Sequence, residues 1–508
     1  MSAIEIESIR LLVQNKLDAA KTPAQRNKLG QFATSTALAT GILNSAKDLL
    51  PPSLTIRFLD PAFGTGSFYS ALLRTFSSAR IVGAVGYEID ADVIREANNL
   101  WSNSQLQLHA VDFTKSLPPV ANDQKTNLLI CNPPYVRHHH LSRDEKRSLQ
   151  KTTRLLANVN LSGLSGLYCY FLCLSYAWMA EDGLAVWLIP SEFMDVNYGR
   201  QVKSFLLNQV TLLRIHRFNP EDVQFKEALV SSAVVWFKKA IAPAAHSVEF
   251  SYGGTLEKPE ISKRLSMKTL RESAKWTRFP QQAEKRQKSK QPQTLSDFFT
   301  IKRGLATGAN EFFLMTSARA AERDLPREFL RPILPSSRYL PVDEVLATEE
   351  GEPAIDRKLY LLICNLPEDK VRSNYPSLWK YLQAGIKRGI DQRYLCSHRS
   401  PWYSQEHRPP APLLCTYMGR RDGGNRRPFR FILNHSHATA PNVYLMMYPK
   451  PDLQSRLVAA PSLLKRVWQQ LNQLSLEDLL NEGRVYGGGL HKLEPKELGN
   501  VITSNLLN

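Results

Sequence analysis

Between Ile56 and Phe237 seven short runs of β-branched and aliphatic residues recur: IRFLD (56–60), IVGAVGYE (81–88), LQLHAVD (106–112), NLLIC (127–131), LAVWLIP (184–190), LLRIHRF (212–218) and LVSSAVVWF (229–237). Segments with the spacing of helices, such as ADVIREANNLW (91–101) and GLYCYFLCLSYAWMA (166–180), separate them. Strand-length apolar runs alternating with helices predict an α/β fold built on a parallel sheet buried on both faces. The expectation is a doubly wound, seven-stranded sheet. Such sheets bind ligands at the carboxyl ends of their strands, so the residues at the strand tips carry the functional information.

The first strand runs into FLDPAFGTGSF (58–68), with Asp60 at its end and Gly64 and Gly66 in a tight turn before a helix. Small residues there let the backbone approach a ligand closely. The turn matches neither the G-x-G-x-x-G of dinucleotide binders nor a phosphate loop with its Lys-Ser/Thr. The second strand ends at Glu88, placed to accept hydrogen bonds from the two hydroxyls of a ribose. The third ends at Asp112, placed to accept from an adenine amino group, with Phe113 beside it for the ring. A helix cap or a solvated loop accounts for any one of these carboxylates. Three in register favour a nucleoside cofactor.

The fourth strand ends in Asn132-Pro133-Pro134-Tyr135, where two rings that donate no backbone hydrogen bond stop the sheet. With these residues the chain resembles the S-adenosylmethionine-dependent amino-methyltransferases, whose hallmark is (Asn/Asp)-Pro-Pro-(Tyr/Phe/Trp). More narrowly it is similar to the gamma class (TaqI-like and Eco57I-like) of DNA adenine-N6 methyltransferases, in which the cofactor motifs precede the catalytic one and a target-recognition domain follows. The context CNPPYVRHHH (131–140) is similar to that of the PstI/BsuBI type II modification group. In this class a G-x-F-x-T-P segment touches the methionine end of the cofactor. Here it reads Gly30-Gln31-Phe32-Ala33-Thr34-Ser35, with Ser35 in place of Pro.

The resemblance implies a Rossmann-like methyltransferase domain that binds S-adenosylmethionine through Thr34, Asp60, Ala62, Gly64, Gly66, Glu88, Ile89, Asp112, Phe113, Asn132 and Phe171. Phe171 lies on an apolar helix and serves equally as a core residue. An exocyclic amine is a poor nucleophile, because its lone pair is delocalised into the ring. The Asn132 side-chain oxygen and the Pro133 carbonyl are acceptors that can hold both amine hydrogens and draw the nitrogen toward a tetrahedral geometry. Within a duplex that amine is paired, so the base must be flipped out. Tyr135 then offers one stacking face, and by resemblance Phe225 offers the other, with a core aromatic as the alternative for Phe225.

The formal charge of +18 over 508 residues suits a polyanionic partner. The longest apolar run, 166–180, is shorter than the roughly 20 residues a bilayer requires, and the N-terminus lacks a signal-peptide pattern. A membrane partner is not expected, and a cytoplasmic location is. Six cysteines without a C-x-x-C pair suit a reducing compartment. His138, His139 and His140 converge poorly as neighbours on an extended segment and have no partner spaced to complete a shell, so no metal is expected. After Lys239 the texture changes, and QQAEKRQKSKQPQT (281–294) has nothing to fill a core.

The expected organisation is therefore a catalytic domain over 1–240, a connecting region with a basic linker over 241–294, and a mixed α+β target-recognition domain over 295–508. Its arginines are interleaved with aromatic residues and turn formers, which suits contact with double-stranded DNA. Arg137, Arg420, Arg421, Arg426 and Arg427 are the candidates. About thirty residues precede the cofactor segment, too few for a fused nuclease domain of ~100 residues or more. The expectation is a monomeric modification enzyme of a type II restriction-modification system with a separate cognate endonuclease. The rival substrates for the same Asn-Pro-Pro-Tyr chemistry are RNA adenine and protein glutamine.

Overall fold

The computed structural model describes residues 3–219, 231–281, 293–420, 427–486, 489–503 and 506–507. The chain divides into two compact units, Met1–Arg286 with Tyr486–Gly488, and Gln287–Val485 with Gly489–Asn508.

In the first unit every strand run seen in the sequence forms a strand: β1 (Ile56–Asp60), β2 (Ile81–Tyr87), β3 (Leu106–His109), β4 (Thr126–Cys131), β5 (Met179–Pro190), β6 (Thr211–Arg217) and β7 (Ser232–Lys238). β8 (Ser247–Tyr252) and β9 (Ile261–Ser266) extend the same sheet, in the order β3-β2-β1-β4-β5-β7-β6-β8-β9. Residues 247–266 belong to the stretch expected to connect the domains. β8 is partly buried and β9, at the sheet edge, is mostly exposed, so both give a weak sequence signal. The sheet is parallel from β3 to β5, while β7 runs antiparallel to both β5 and β6. Apolar runs mark where strands are; their direction depends on how the chain returns.

The helices that bear on the site are α1 (Ala3–Ala19), α2 (Pro23–Leu29), α3 (Thr36–Leu49), α4 (Ser67–Thr75), α5 (Ala91–Trp101), α6 (Arg143–Ala157), α7 (Leu167–Leu174) and α8 (Gly199–Asn208). Because side chains alternate along a strand, β4 and β5 feed two cores. Leu128, Ile130, Leu184, Val186 and Leu188 join residues of α3, α4 and α5 in one core. Leu129, Cys131, Ala185, Trp187 and Ile189 join those of α6, α7 and α8 in the other. This three-layer arrangement holds β1, β2 and β4 as rigid supports for the loops at their carboxyl ends.

Helix α1 docks through polar groups. Arg10 is 1 % exposed and forks onto Glu7, with Nε to Oε2 at 2.8 Å and a terminal nitrogen to Oε1 at 2.7 Å. Its other terminal nitrogen donates to Thr65 Oγ1 at 3.1 Å and Ser67 Oγ at 2.9 Å. Ser70 and Thr36 donate to the same Glu7 carboxylate. Burial alone would raise the Glu7 pKa, but the hydrogen bonds from Arg10, Ser70 and Thr36 and the Arg10 charge outweigh it and hold the carboxyl at about 2.

The second unit is mixed α+β. A five-stranded sheet in the order Phe299–Arg303, Tyr444–Pro449, Leu413–Thr416, Phe431–Asn434, Glu344–Val345 is antiparallel except at its last pair. One face is covered by helices that include Leu463–Gln473 and Pro495–Gly499. A smaller sheet, Leu314–Met315, Leu359–Leu362 and Leu330–Ile333, packs with Pro376–Lys387 in its own core. No helix among the described residues is long and apolar enough to cross a membrane.

Breaking a buried ion pair from one side leaves an uncompensated charge, so Arg10→Met is expected to cost about 3–5 kcal/mol in urea unfolding of the full chain. The Glu7 carboxyl is depressed in the folded state, so its contribution is present above its ordinary value of 4.5 and is lost as the pH falls toward about 2. Glu7→Gln should flatten the stability profile across that window.

Candidate active site

The turn after β1 is held from below and from the side. Asp60 is 1 % exposed beneath it, and its Oδ1 accepts the Ala62 N–H at 3.1 Å. Burial pushes its carboxyl up to about 8, against the pull of the Ala62 N–H and with the Glu88 charge adding to the rise. Gly64 has φ +58°, and a Cβ built there meets nothing within 4 Å, so this part of the turn faces open space. Its N–H donates to Glu88 Oε2 at 2.9 Å, and Glu88 Oε1 accepts from Ile89 and Asp90 N–H at 2.9 and 2.8 Å. One carboxylate therefore ties the β1 turn to the tip of β2. Gly66 has another job: with φ +89° it starts α4, and a Cβ there would come within 2.7 Å of Phe63 and Trp101.

The catalytic motif is clamped by the segment before α3. Asn132 Nδ2 donates to Phe32 O at 2.8 Å and Thr34 Oγ1 at 3.1 Å. Both amide hydrogens are thus committed to acceptors, which assigns the other atom as oxygen. That Oδ1 is buried and meets no donor among the described residues. Gly30 O accepts the Tyr135 N–H at 3.0 Å, and at its φ of +66° a Cβ would lie 2.4 Å from that nitrogen, so only glycine allows the approach. Ser35, where Pro was expected, is the N-cap of α3, its side chain accepting from Leu38 N–H; capping keeps the turn that proline would have imposed. Pro133 is buried, and the Tyr135 ring is 7 % exposed, lies 5.7 Å from Phe32 and donates its hydroxyl to Leu188 O at 3.1 Å. In this structure that ring is packed inward.

A cavity opens between these elements. Of the expected cofactor residues, Ala62, Gly64, Glu88, Ile89, Asp112, Phe113, Asn132 and Phe171 line it, together with Pro134. Thr34, Asp60 and Gly66 stand behind its wall as supports. Phe113 and Phe171, ring centroids 5.5 Å apart, form an apolar end with Val111 and Tyr87. β3 stops at His109, short of the expected 112, because Asp112 instead caps a single turn, its Oδ1 accepting from Thr114 N and Oγ1 at 2.9 and 2.7 Å. Gln14, Leu17, Asp18 and Lys21 line a further wall that the sequence reading missed. The available signal was the spacing of Gln14, Leu17 and Asp18, which with Glu7 and Arg10 marks one face of α1, Lys21 following just past its end. That face is polar, and a search for apolar periodicity passes over it.

The domain family described as Eco57I restriction-modification methylase matches residues 2–224, and that of the type II methyltransferase M.Eco57I C-terminal domain matches residues 274–508. Among similar proteins, the type II methyltransferase M.AccI of Acinetobacter calcoaceticus is 25 % identical over 500 residues, 95 % of this chain and 86 % of that protein. The type II methyltransferase M.XamI of Xanthomonas campestris pv. amaranthicola is 26 % identical over 464 residues, 89 % and 81 % of the respective chains. Both halves of the chain are thus similar to Eco57I-like restriction-modification methylases. The solved type IIL restriction-modification enzyme MmeI, in complex with DNA, shares the fold at a TM-score of 0.55 and 12 % identity, the match covering 92 % of this chain and 64 % of that one.

The cofactor of this methylase is S-adenosylmethionine, and the cavity residues fit it. Phe113 and Phe171 offer an apolar wall for a purine, Gly64 leaves room over the turn, and carboxylates at Glu88 and Asp112 suit hydroxyl and amino donors. Phe225, Arg421 and Arg426 lie outside the described residues. Arg420 is exposed on the strand Met418–Arg420, and Arg427, also exposed, donates through one terminal nitrogen to the carbonyls of Asn472 and Leu474 at the end of the helix Leu463–Gln473. Arg137 is exposed and precedes a 3-10 turn, His138–His140, where an extended segment was expected.

Asn132→Ala removes the unpaired acceptor while the cavity lining changes by one side chain. Methyl transfer should fall at least ~100-fold, on the scale of losing one oriented transition-state hydrogen bond. Cofactor affinity, measured by calorimetry, should stay within about threefold. Retained turnover would remove Asn132 from the mechanism.

Proposed function

We propose that this methylase transfers a methyl group to N6 of an adenine flipped out of duplex DNA, as the modification enzyme of a type II restriction-modification system. The observation that carries this reading is the buried Asn132 Oδ1, which meets no donor among the described residues and is held in position by the two bonds from Asn132 Nδ2. A buried acceptor left unpaired costs stability, roughly 1–3 kcal/mol, unless a ligand brings the missing donor. An amino group is such a ligand.

Asn132 Oδ1 takes one amine hydrogen and the Pro133 carbonyl takes the other, which localises the nitrogen lone pair. S-Adenosylmethionine, when bound, supplies an electrophilic methyl on a sulfonium centre. That methyl would pass to the nitrogen held by Asn132 and Pro133 with the carbon–sulfur electron pair left on sulfur, and the surplus amine proton would be lost to solvent. The rigid supports at the tips of β1, β2 and β4 keep the groups in line, and alignment of this kind contributes much of the acceleration without a covalent enzyme intermediate. Flipping costs a few kcal/mol of stacking, and aromatic contacts of ~1–3 kcal/mol per base offset part of it. Tyr135 serves as a stacking face if its ring turns out of the packing it holds against Phe32, and Phe225 is proposed for the opposite face.

The basic composition of the chain supports a nucleic-acid partner, with the second unit as the target-recognition domain and Arg420 as one of its contacts. A separate endonuclease cutting the same site, a monomeric state and a cytoplasmic location complete the proposal.

Modification-sensitive sequencing of DNA from cells expressing the protein is expected to report N6-methyladenine within one short recurring sequence, absent with Asn132→Ala. In vitro, label from the cofactor should enter duplex DNA and neither RNA nor ribosomal protein. Label confined to RNA or protein would overturn the assignment.

A further inference from the structure

The wall contributed by α1 gives the cofactor cavity an uneven charge. Its described lining includes three carboxylates, Asp18, Glu88 and Asp112, and a single cation, Lys21. S-Adenosylmethionine carries two positive groups, the sulfonium and the α-ammonium, and one negative group, the α-carboxylate. The acidic lining suits the first two and the hydroxyl donors. Only the carboxylate requires a cation, and Lys21 is the one cation the described lining supplies.

Lys21 is also placed in advance of any ligand. Its Nζ donates to Gln31 Oε1 at 2.9 Å and pairs with Asp90, and its side chain is 22 % exposed. Gln31 lies in the segment that clamps Asn132, and Asp90 follows two residues after Glu88. Gln31 Nε2 donates in turn to Asp90 Oδ2 at 3.0 Å. The ammonium is therefore fixed between the catalytic clamp and the tip of β2, with two acceptors among the described residues for a group that has three hydrogens to donate. Holding a flexible lysine in this way lowers the entropy lost when it binds an anion. Asp90 itself is secured as the N-cap of α5, and the hydrogen bonds from Gln31 and Lys21 outweigh its burial.

We infer that Lys21 is the counter-ion of the cofactor's α-carboxylate, so that the helix bearing Gln14 and Asp18 is a working wall of the cofactor site. The inference rests on the cavity being the cofactor site and is independent of which base is methylated.

The test compares binding of S-adenosylmethionine with that of its decarboxylated analogue, which keeps the sulfonium and the ammonium and lacks only the carboxylate. Calorimetry on the full chain, without DNA, should show the wild type preferring the intact cofactor by on the order of tenfold or more, the scale of a charge-assisted hydrogen bond. Lys21→Met should erase that preference by weakening only the intact cofactor, and Lys21→Arg should restore most of it. A preference that persists in Lys21→Met, or equal weakening of both ligands, would overturn the inference. If Lys21→Met does not fold, the wild type still decides one way, because a wild type with no preference refutes it, and Lys21→Gln serves as the neutral variant. A wild type that binds neither ligand would remove the cofactor reading of the cavity and this inference together. Failure to methylate DNA adenine would leave the binding result standing.

Discussion

The amide of Asn132 is the constraint on which the site depends. Its two hydrogens are taken by Phe32 O and Thr34 Oγ1, so the side chain cannot rotate to exchange its ends without leaving two acceptors facing an oxygen. That restriction turns a flexible residue after β4 into a directed acceptor. It also makes the site depend on tertiary structure, because the residues that restrain Asn132 lie about one hundred positions earlier in the chain. Gly30 completes the clamp by letting two backbones approach closely enough for its carbonyl to take the Tyr135 N–H.

The same logic extends to the other side of the cavity. Glu88 spends its carboxylate on three backbone N–H groups and so fixes the β1 turn relative to β2. Asp60, buried and pushed toward its neutral form, holds the turn from beneath. Helix α1 is pinned by the Glu7–Arg10 pair; its far end brings Asp18 to the cavity, and the turn just beyond it brings Lys21. Acidic and amide side chains thus serve as structural ties first. A ligand that enters meets polar groups whose orientation is already set, and little reorganisation is left for the moment of reaction.

Much of this was legible from residues in order. Apolar runs located β1 to β7, the glycine-rich turn located the cofactor loop, and Asn-Pro-Pro-Tyr located the catalytic tip. The strands β8 and β9 were not legible, because SVEFSY and ISKRLS carry too few consecutive apolar residues to stand out from loop sequence. The inward face of α1 was missed for the converse reason. Its buried positions are Glu7 and Arg10, residues that composition assigns to the surface, and their burial is tolerable only because Thr36, Thr65, Ser67 and Ser70 converge on them from two other helices and a turn. The bonds from one Arg427 nitrogen to the carbonyls of a distant helix end were likewise beyond what its place in an arginine-rich run could show.

The sequence by itself determined where strands and turns form, which residues stand at the strand tips, and that an amide followed by two prolines ends β4. These follow from local preferences: side-chain branching, the fixed φ of proline and the freedom of glycine act within a few residues. Only the tertiary structure decided the direction of β7, the inward packing of Tyr135, the polar wall made by α1 and the orientation of the Asn132 amide. Each of those depends on hydrogen bonds or contacts between segments far apart in the chain. A side chain shows no preference for one distant partner over another until the sheet has brought both within about 3 Å.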